Sequence, residues 1–318
     1  MNTHLRLHQL KALVGVVEHG GIRAASRQLH LSQAALTKSL RQLEEDAGMP
    51  LLVRSPRGVV LTEAGQRLYD RAALVHRQLD LAHDELRQAA GDTRGQVRMA
   101  LTPFVVLQSL GPAFRWFRVR YPHVALEVAE GLMARVLPRL RDGSLDFAVV
   151  ADTGDLPPGE FAVRPLLRRE QHIVVRAGHP VLRAPSVKKM AALEWVLTGP
   201  RARWHSERLN HLFEQSGCAP PAMVVVCETL AGLTLLRECD VAGVVPEPLL
   251  QQPEGRGLVP VKLRSLRPEP FELALIQRPD VPLTPAAEFL ARCVADACLE
   301  AEGEGVATQR KAPARDRH

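Results

Sequence analysis

With 318 residues, 46% of them apolar, the chain has the length and composition of two or three domains that each bury a core, which excludes a disordered or fibrous polypeptide. A formal net charge of +6 and an isoelectric point near 9.4 admit nucleic acid, an anionic membrane surface or acidic ligands as partners. The five cysteines form neither a CxxC pair nor an even set, so no disulfide framework or zinc ribbon is expected.

The start runs straight into an amphipathic pattern, and no apolar run of about 18 residues follows, so the sequence reads as soluble and cytoplasmic. The basic excess is local: Arg23, Arg27, Lys38 and Arg41 stand between His19 and Leu43 with no acidic residue among them. Leu10, Leu13, Val14 and Val17 repeat at i, i+3, i+4 and i+7, the period of a helix, which Gly20 and Gly21 end. A short helix from Ile22 to about Leu29 follows, and its Ala24-Ala25 pair lets another helix approach closely. Ser32 offers a hydroxyl cap for a third helix to about Ala47, stopped by Gly48 and Pro50.

On that third helix Leu36, Leu40 and Leu43 form one stripe, and residues 33, 34, 37, 38, 41 and 45 lie on the other side. Gln33 can pair with adenine across two hydrogen bonds. Thr37 and Ser39 are short hydrogen-bonders, and Lys38 and Arg41 can reach phosphate or guanine. Next, LLVRSPRGVVLT reads as two short strands about a Ser-Pro-Arg-Gly turn, a wing with Arg54 at its base and Arg57 at its tip.

Thr62 caps a long helix, and Leu61, Ala64, Leu68, Ala72, Val75, Leu79, Ala82, Leu86 and Ala89 repeat with heptad spacing. Such a helix is on the order of 40 Å long, and alone it would leave its stripe in water, so pairing with a second copy is expected. Gly91 and Gly95 mark a hinge over 91–96. From Val97, continuous apolar strands alternate with helices up to about Glu300, which predicts parallel sheets covered on both faces and folded as two lobes. The polar run 301–318 reads as a disordered tail.

Ala24-Ala25 with Leu29, Ser32-Gln33 with Ala35, Leu43-Glu44, Pro50-Leu51, Arg54 and the run Leu61 to Gly65 together resemble the LysR-type transcriptional regulators, and the element order follows that family over about 300 residues. The resemblance implies an N-terminal all-α winged helix-turn-helix with a long coiled-coil linker helix. After it comes a C-terminal α/β two-lobed effector domain like a periplasmic binding protein. In this chain's numbers these are residues 1–61, 62–90 and 97–300, with lobe I over about 97–163 and 270–300 and lobe II over about 164–269.

It further implies binding of an interrupted palindrome in double-stranded promoter DNA, a homodimer through the linker helix that assembles into a homotetramer, contact with RNA polymerase, and an effector that alters DNA bending. The DNA-contacting candidates are Arg23, Ser32, Gln33, Ala34, Thr37, Lys38, Arg41, Arg54 and Arg57. The chain departs from the common pattern at Ala34, where proline is usual, at Thr37 for serine and at Leu52 for phenylalanine. Losing the first-turn proline costs about 1 kcal/mol or less of pre-organisation.

For the effector, Thr102-Pro103 and Thr229 open helices whose amides favour anions, and Thr198-Gly199 ends a strand where open α/β sheets place ligands. Glu130 and Val245, near the ends of other strands, complete the candidate set. An organic anion, an aromatic carboxylate or sulfonate, is the expected ligand. Arg201 and Arg203 could add charge, although loop arginines are more often solvated.

No metal, cofactor or catalytic residue is expected. His205-Ser206-Glu207 matches half of a zinc deaminase motif whose P-C-x-x-C partner is absent. Cys218 and Cys227, nine residues apart, raise a thiol redox sensor as an alternative, and the two-lobed part alone would fit a solute-binding protein.

Overall fold

The computed structural model describes residues 5–55, 58–92, 94–152, 156–198 and 203–310. The chain divides into two compact units near Asp92. The first holds α1 (Leu7–Glu18), α2 (Ile22–Gln28), α3 (Gln33–Ala47), β1 (Leu52–Ser55), β2 (Gly58–Leu61) and α4 (Glu63–Ala89). Its core gathers Leu13 and Val16 of α1, Ala25 of α2, the α3 stripe Leu36, Leu40 and Leu43, and Leu51. Each of those leucines contributes roughly 1.5–3 kcal/mol by leaving water. Gly20 and Gly21 adopt positive φ of 71° and 147°, which ends α1 as expected, and Gly48 at φ 71° closes α3.

β1 and β2 pair antiparallel, Leu52 opposite Leu61 and Ser55 opposite Gly58. Their entry is pinned from three sides. Glu44 Oε1 accepts from the amides of Leu51 at 2.8 Å and Leu52 at 3.0 Å. The Thr62 hydroxyl donates to the Pro50 carbonyl and accepts from the Gly65 amide, and the Thr62 amide donates to the Leu51 carbonyl. A Cβ on Gly65 would lie 1.9 Å from that same Leu51 oxygen, so α4 meets the loop at a distance only glycine allows.

The second unit contains two five-stranded sheets. The first lobe is built from β3 (Arg94–Leu101), α5 (Pro103–Arg120), β4 (His123–Glu130), α6 (Met133–Arg141), β5 (Phe147–Asp152) and β6 (Ala162–Arg169). The chain crosses at Glu170 into β7 (Gln171–Arg176), α7 (Val187–Ala191), β8 (Glu194–Thr198), α8 (Arg203–Glu214), β9 (Val224–Cys227), α9 (Thr229–Glu238), β10 (Val241–Pro246), α10 (Glu247–Leu250) and β11 (Leu258–Pro260). It then returns to the first lobe as β12 (Phe271–Gln277) and α11 (Pro285–Arg310).

The sheet orders are β4-β3-β5-β12-β6 and β11-β7-β10-β8-β9. Neighbouring strand residues feed opposite faces, as period two requires: Met99 and Val149 join one core, Ala100 and Val150 the other. The two crossings lie side by side, because Gln171 Nε2 donates to the Glu269 carbonyl at 2.7 Å.

Four expectations change. The sheets are mixed rather than parallel: β12 runs antiparallel to β5 and β6, and β7 antiparallel to β10 and β11. Strands entered by a crossing between lobes need no right-handed helical return, so nothing forces them parallel. Residues 164–169, expected in the second lobe, belong to β6 and pair with β12, with Pro165 beside a register shift on an edge strand, where proline's missing amide costs least. Likewise β3 begins at Arg94, within the expected hinge. Finally α11 continues through residues 301–310 of the expected tail. Ala301, Glu302, Glu304, Ala307 and Gln309 are good helix formers, and they outweigh two glycines at about 1 kcal/mol each. Residues 311–318 lie outside the described ones.

Candidate DNA-reading surface and effector cavity

Ser32 caps α3 by accepting from the Ala35 amide at 3.1 Å, so the first turn of the helix is fixed. Beyond it Gln33, Ala34, Lys38 and Arg41 are exposed and Thr37 is half-buried, while Leu36 and Leu43, on the other side, are at most 1% exposed. Arg23 on α2 is exposed as well. Arg54 lies in β1 opposite Val59, its side chain outside the described part, and Arg57 falls outside the described residues altogether.

A buried anchor escaped the sequence reading. Gln9 of α1, fully buried, accepts from the Arg6 amide and donates to Asp46 near the end of α3 at 2.7 Å, and Gln42 also donates to Asp46. The Gln9 hydrogen bond foremost, then that of Gln42, holds the Asp46 carboxyl below its ordinary range, with Arg6 adding a smaller pull against the effect of burial. The recognition helix is thus tied to α1 at its far end as well as capped at its near end.

Along α4, Val75, Leu79 and Leu86 of the heptad stripe are 44%, 39% and 70% exposed in the single chain.

Between the lobes of the second unit lies a cavity of about 370 Å³, at the small end of ligand sites. The first lobe gives it Thr102 and the apolar Phe104, Leu132, Met133, Ala151 and Phe271. Phe104 and Phe271 meet edge to face, with centroids 5.6 Å apart. The second lobe gives it Thr198, Val244 and a set of polar groups that the sequence reading missed. These are Arg208 and His211 of α8, Gln215 just past its end, Gln171, and Arg267 and Glu269 of the return crossing. Residues 208, 211 and 215 stand at i, i+3 and i+7, one helical face, and the His211 and Gln215 Nε2 atoms are 2.8 Å apart. Among the described residues neither Arg208 nor Arg267 is ion-paired.

Of the candidate effector residues, Thr102 and Thr198 line this cavity. Thr102 is 2% exposed, and its hydroxyl does not cap α5. Pro103, Glu130 and Thr229 are not part of the lining: they stand at the first turn of α5, the end of β4 and the first turn of α9. Val245 points into the lobe core at 4% exposure, and its neighbour Val244 faces the cavity instead. Gly199 and Arg201 lie outside the described residues. Glu228, at the N-terminus of α9, forms an ion pair with Arg135 of α6 that joins the lobes.

Cys227 is half-buried, and burial, with the Glu228 charge second, pushes its thiol up, which disfavours the thiolate that peroxide chemistry needs. No group of His, Cys, Asp and Glu among the described residues could hold a metal ion, and no helix among them is long and apolar enough to cross a membrane.

A capped helix with an exposed polar face, a wing and a two-lobed domain with a cleft between its lobes define a helix-turn-helix DNA reader joined to a small-molecule binder. Residues 7–66 match the bacterial regulatory helix-turn-helix proteins of the lysR family, and residues 90–299 match the LysR substrate binding domain. The chain belongs to the LysR family of DNA-binding transcriptional regulators with an effector-binding domain.

It is 28% identical to the HTH-type transcriptional regulator GbpR of Rhizobium radiobacter over 247 residues, 76% of this chain and 80% of that one. The crystal structure of full-length CbnR with its target DNA covers 92% of this chain and 100% of that chain, with a TM-score of 0.63 and 20% identity. A full-length OxyR variant of Pseudomonas aeruginosa gives 0.66 at 19% identity, with 92% and 95% covered. At such identities the likeness concerns the fold alone.

Proposed function

We propose that α3 enters the major groove of promoter DNA, with Gln33, Thr37 and Lys38 at the bases, Ser32, Ala34 and Arg41 beside them, and Arg23, Arg54 and Arg57 on the phosphates. The observation that carries this is the division of α3 into a sealed leucine stripe and an exposed face holding amide, ammonium and guanidinium groups. The exposed apolar stripe of α4 supports pairing of two copies, so that two readers span an interrupted palindrome, with a tetramer as the working assembly. The effector is a small organic anion held in the inter-lobe cavity, for which the two unpaired guanidiniums are the support. The protein works in the cytoplasm and performs no catalysis of its own.

Footprinting on the chain's own upstream intergenic DNA, at stated salt and with a panel of organic acids, tests both halves. A dyad-symmetric protected site whose extent or bend changes with one acid is the expected result. Uniform, salt-sensitive retention of any DNA refutes specific reading and leaves only a basic surface. Gln33→Ala should relax sequence preference at one position in each half-site at a cost of about 1–3 kcal/mol. Unchanged affinity and preference would mean that α3 is oriented differently.

A further inference from the structure

A second basic surface lies outside the DNA reader, on the second lobe. The runs 177–193 and 256–268 hold seven lysines and arginines and no aspartate or glutamate, more positive charge than the net +6 of the whole chain. The fold brings the two runs together. They meet at the β7–β11 ladder, where Leu258 pairs with Arg176 and the Ala177 amide donates to the Gly257 carbonyl at 2.7 Å. Val181 and Met190 of the first run and Val261 and Leu266 of the second are buried in one core. The cations among them stay outside it: Arg183, Lys188, Lys189, Arg256, Lys262 and Arg264 are all exposed, and the seventh, Arg267, lines the cavity. Among the described residues none of the seven is in an ion pair.

We infer that this surface binds the sugar-phosphate backbone of duplex DNA flanking the operator, without regard to its sequence. A protein surface normally intersperses the two signs of charge, because a field of one sign repels itself. The two runs contain no aromatic residue, and none of their large apolar side chains is exposed. They therefore offer neither the aromatic centre of a protein interface nor a platform for stacking unpaired bases. What they offer is positive charge on long flexible stems, which suits phosphate. The contact is weak in isolation. Once α3 holds the operator, however, the flanking duplex is tethered at an effective concentration on the order of millimolar, and each phosphate neutralised releases a counterion. This rests on the reading of α3 as the DNA reader.

Fluorescence anisotropy of the full chain, over roughly 50 to 200 mM salt, compares the footprinted operator as a short duplex with the same site carrying about three helical turns of flank on each side. The native chain should bind the long duplex about tenfold or more tightly than the short one, with a salt slope steeper by about three or more. The variant that joins Arg183→Gln, Lys188→Gln, Lys189→Gln, Lys262→Gln and Arg264→Gln changes only exposed side chains. It should bind the long duplex no better than the short one, and its affinity for the short one should stay within about twofold of native.

No gain from the flanks in the native chain overturns the inference, as does a variant that keeps the gain. A variant weakened equally on both duplexes overturns it too, because the loss then lies in the reader or the fold. If the variant keeps the gain yet no longer alters transcription by purified RNA polymerase at that promoter, the surface meets an acidic protein instead and the inference falls. A scrambled duplex of the long length separates the two levels: its salt slope should fall in the five-site variant and stay native in Gln33→Ala. If the short operator is not preferred over scrambled DNA but that slope still falls, the reader assignment fails and the basic surface stands.

Discussion

Replacing Glu44 with alanine should loosen the wing without touching any residue that faces DNA. Its Oε1 accepts from both the Leu51 and the Leu52 amides, and Leu51 is 2% exposed, so in Glu44→Ala the Leu51 donor at least is left without water or a partner. An unsatisfied buried donor costs about 1–3 kcal/mol, and the second amide, nearer solvent, costs less, so the loss is about 2–4 kcal/mol. Glu44→Gln keeps an acceptor oxygen and loses only the charge assistance, about 1 kcal/mol. Amide hydrogen exchange reads the effect at its origin: Leu51 and Leu52 should lose roughly thirty-fold or more of their protection in Glu44→Ala, and about fivefold in Glu44→Gln, at about 1.4 kcal/mol per factor of ten. Operator affinity should fall with it, because Arg54 leaves the wing base on the strand that those amides begin. Exchange at both amides within a factor of two of the native chain in Glu44→Ala would refute the argument that this carboxylate positions the wing.

Gly65→Ala should destabilise the DNA-reading unit by more than about 3 kcal/mol, since its methyl would lie 1.9 Å from the Leu51 oxygen and backbone must move to admit it; a melting temperature within about 2 °C of native would contradict this. Asp46 titrates below its ordinary value in the fold, so its contribution is full above about pH 4 and is lost as pH falls through the lowered value. Acid unfolding of the unit, followed by circular dichroism, should therefore be shallower in Asp46→Asn, and an identical acid limb would remove Asp46 from the linkage. Leu79→Asp on the exposed α4 stripe should shift sedimentation toward the monomer, and an unchanged mass would place the pairing surface elsewhere.

The DNA-reading unit was legible because its signals are local. A hydroxyl at Ser32 or Thr62 caps the helix that starts one residue later, and a leucine at 36, 40 and 43 faces the core whatever the partner is. Gln9 was not legible, because a buried amide beside apolar neighbours has meaning only when Asp46, 37 residues on, closes the hydrogen bond.

The cavity shows the same division more sharply. Threonines at helix and strand ends are visible in sequence, and two of the three, Thr102 and Thr198, do line the wall, but they say nothing about charge. Part of the charge comes from α8, whose Leu209, Leu212 and Phe213 anchor it in the core and so turn Arg208 and His211 toward the cavity; the rest, Arg267 and Glu269, comes from the return crossing. Whether Val244 or Val245 faces the cavity depends on how β10 registers against β7 and β8, Gly243 lying opposite both Val174 and Val196. A one-residue slip exchanges the two valines, so the lining of the cavity is fixed by pairing across the sheet, not by the pattern along the strand.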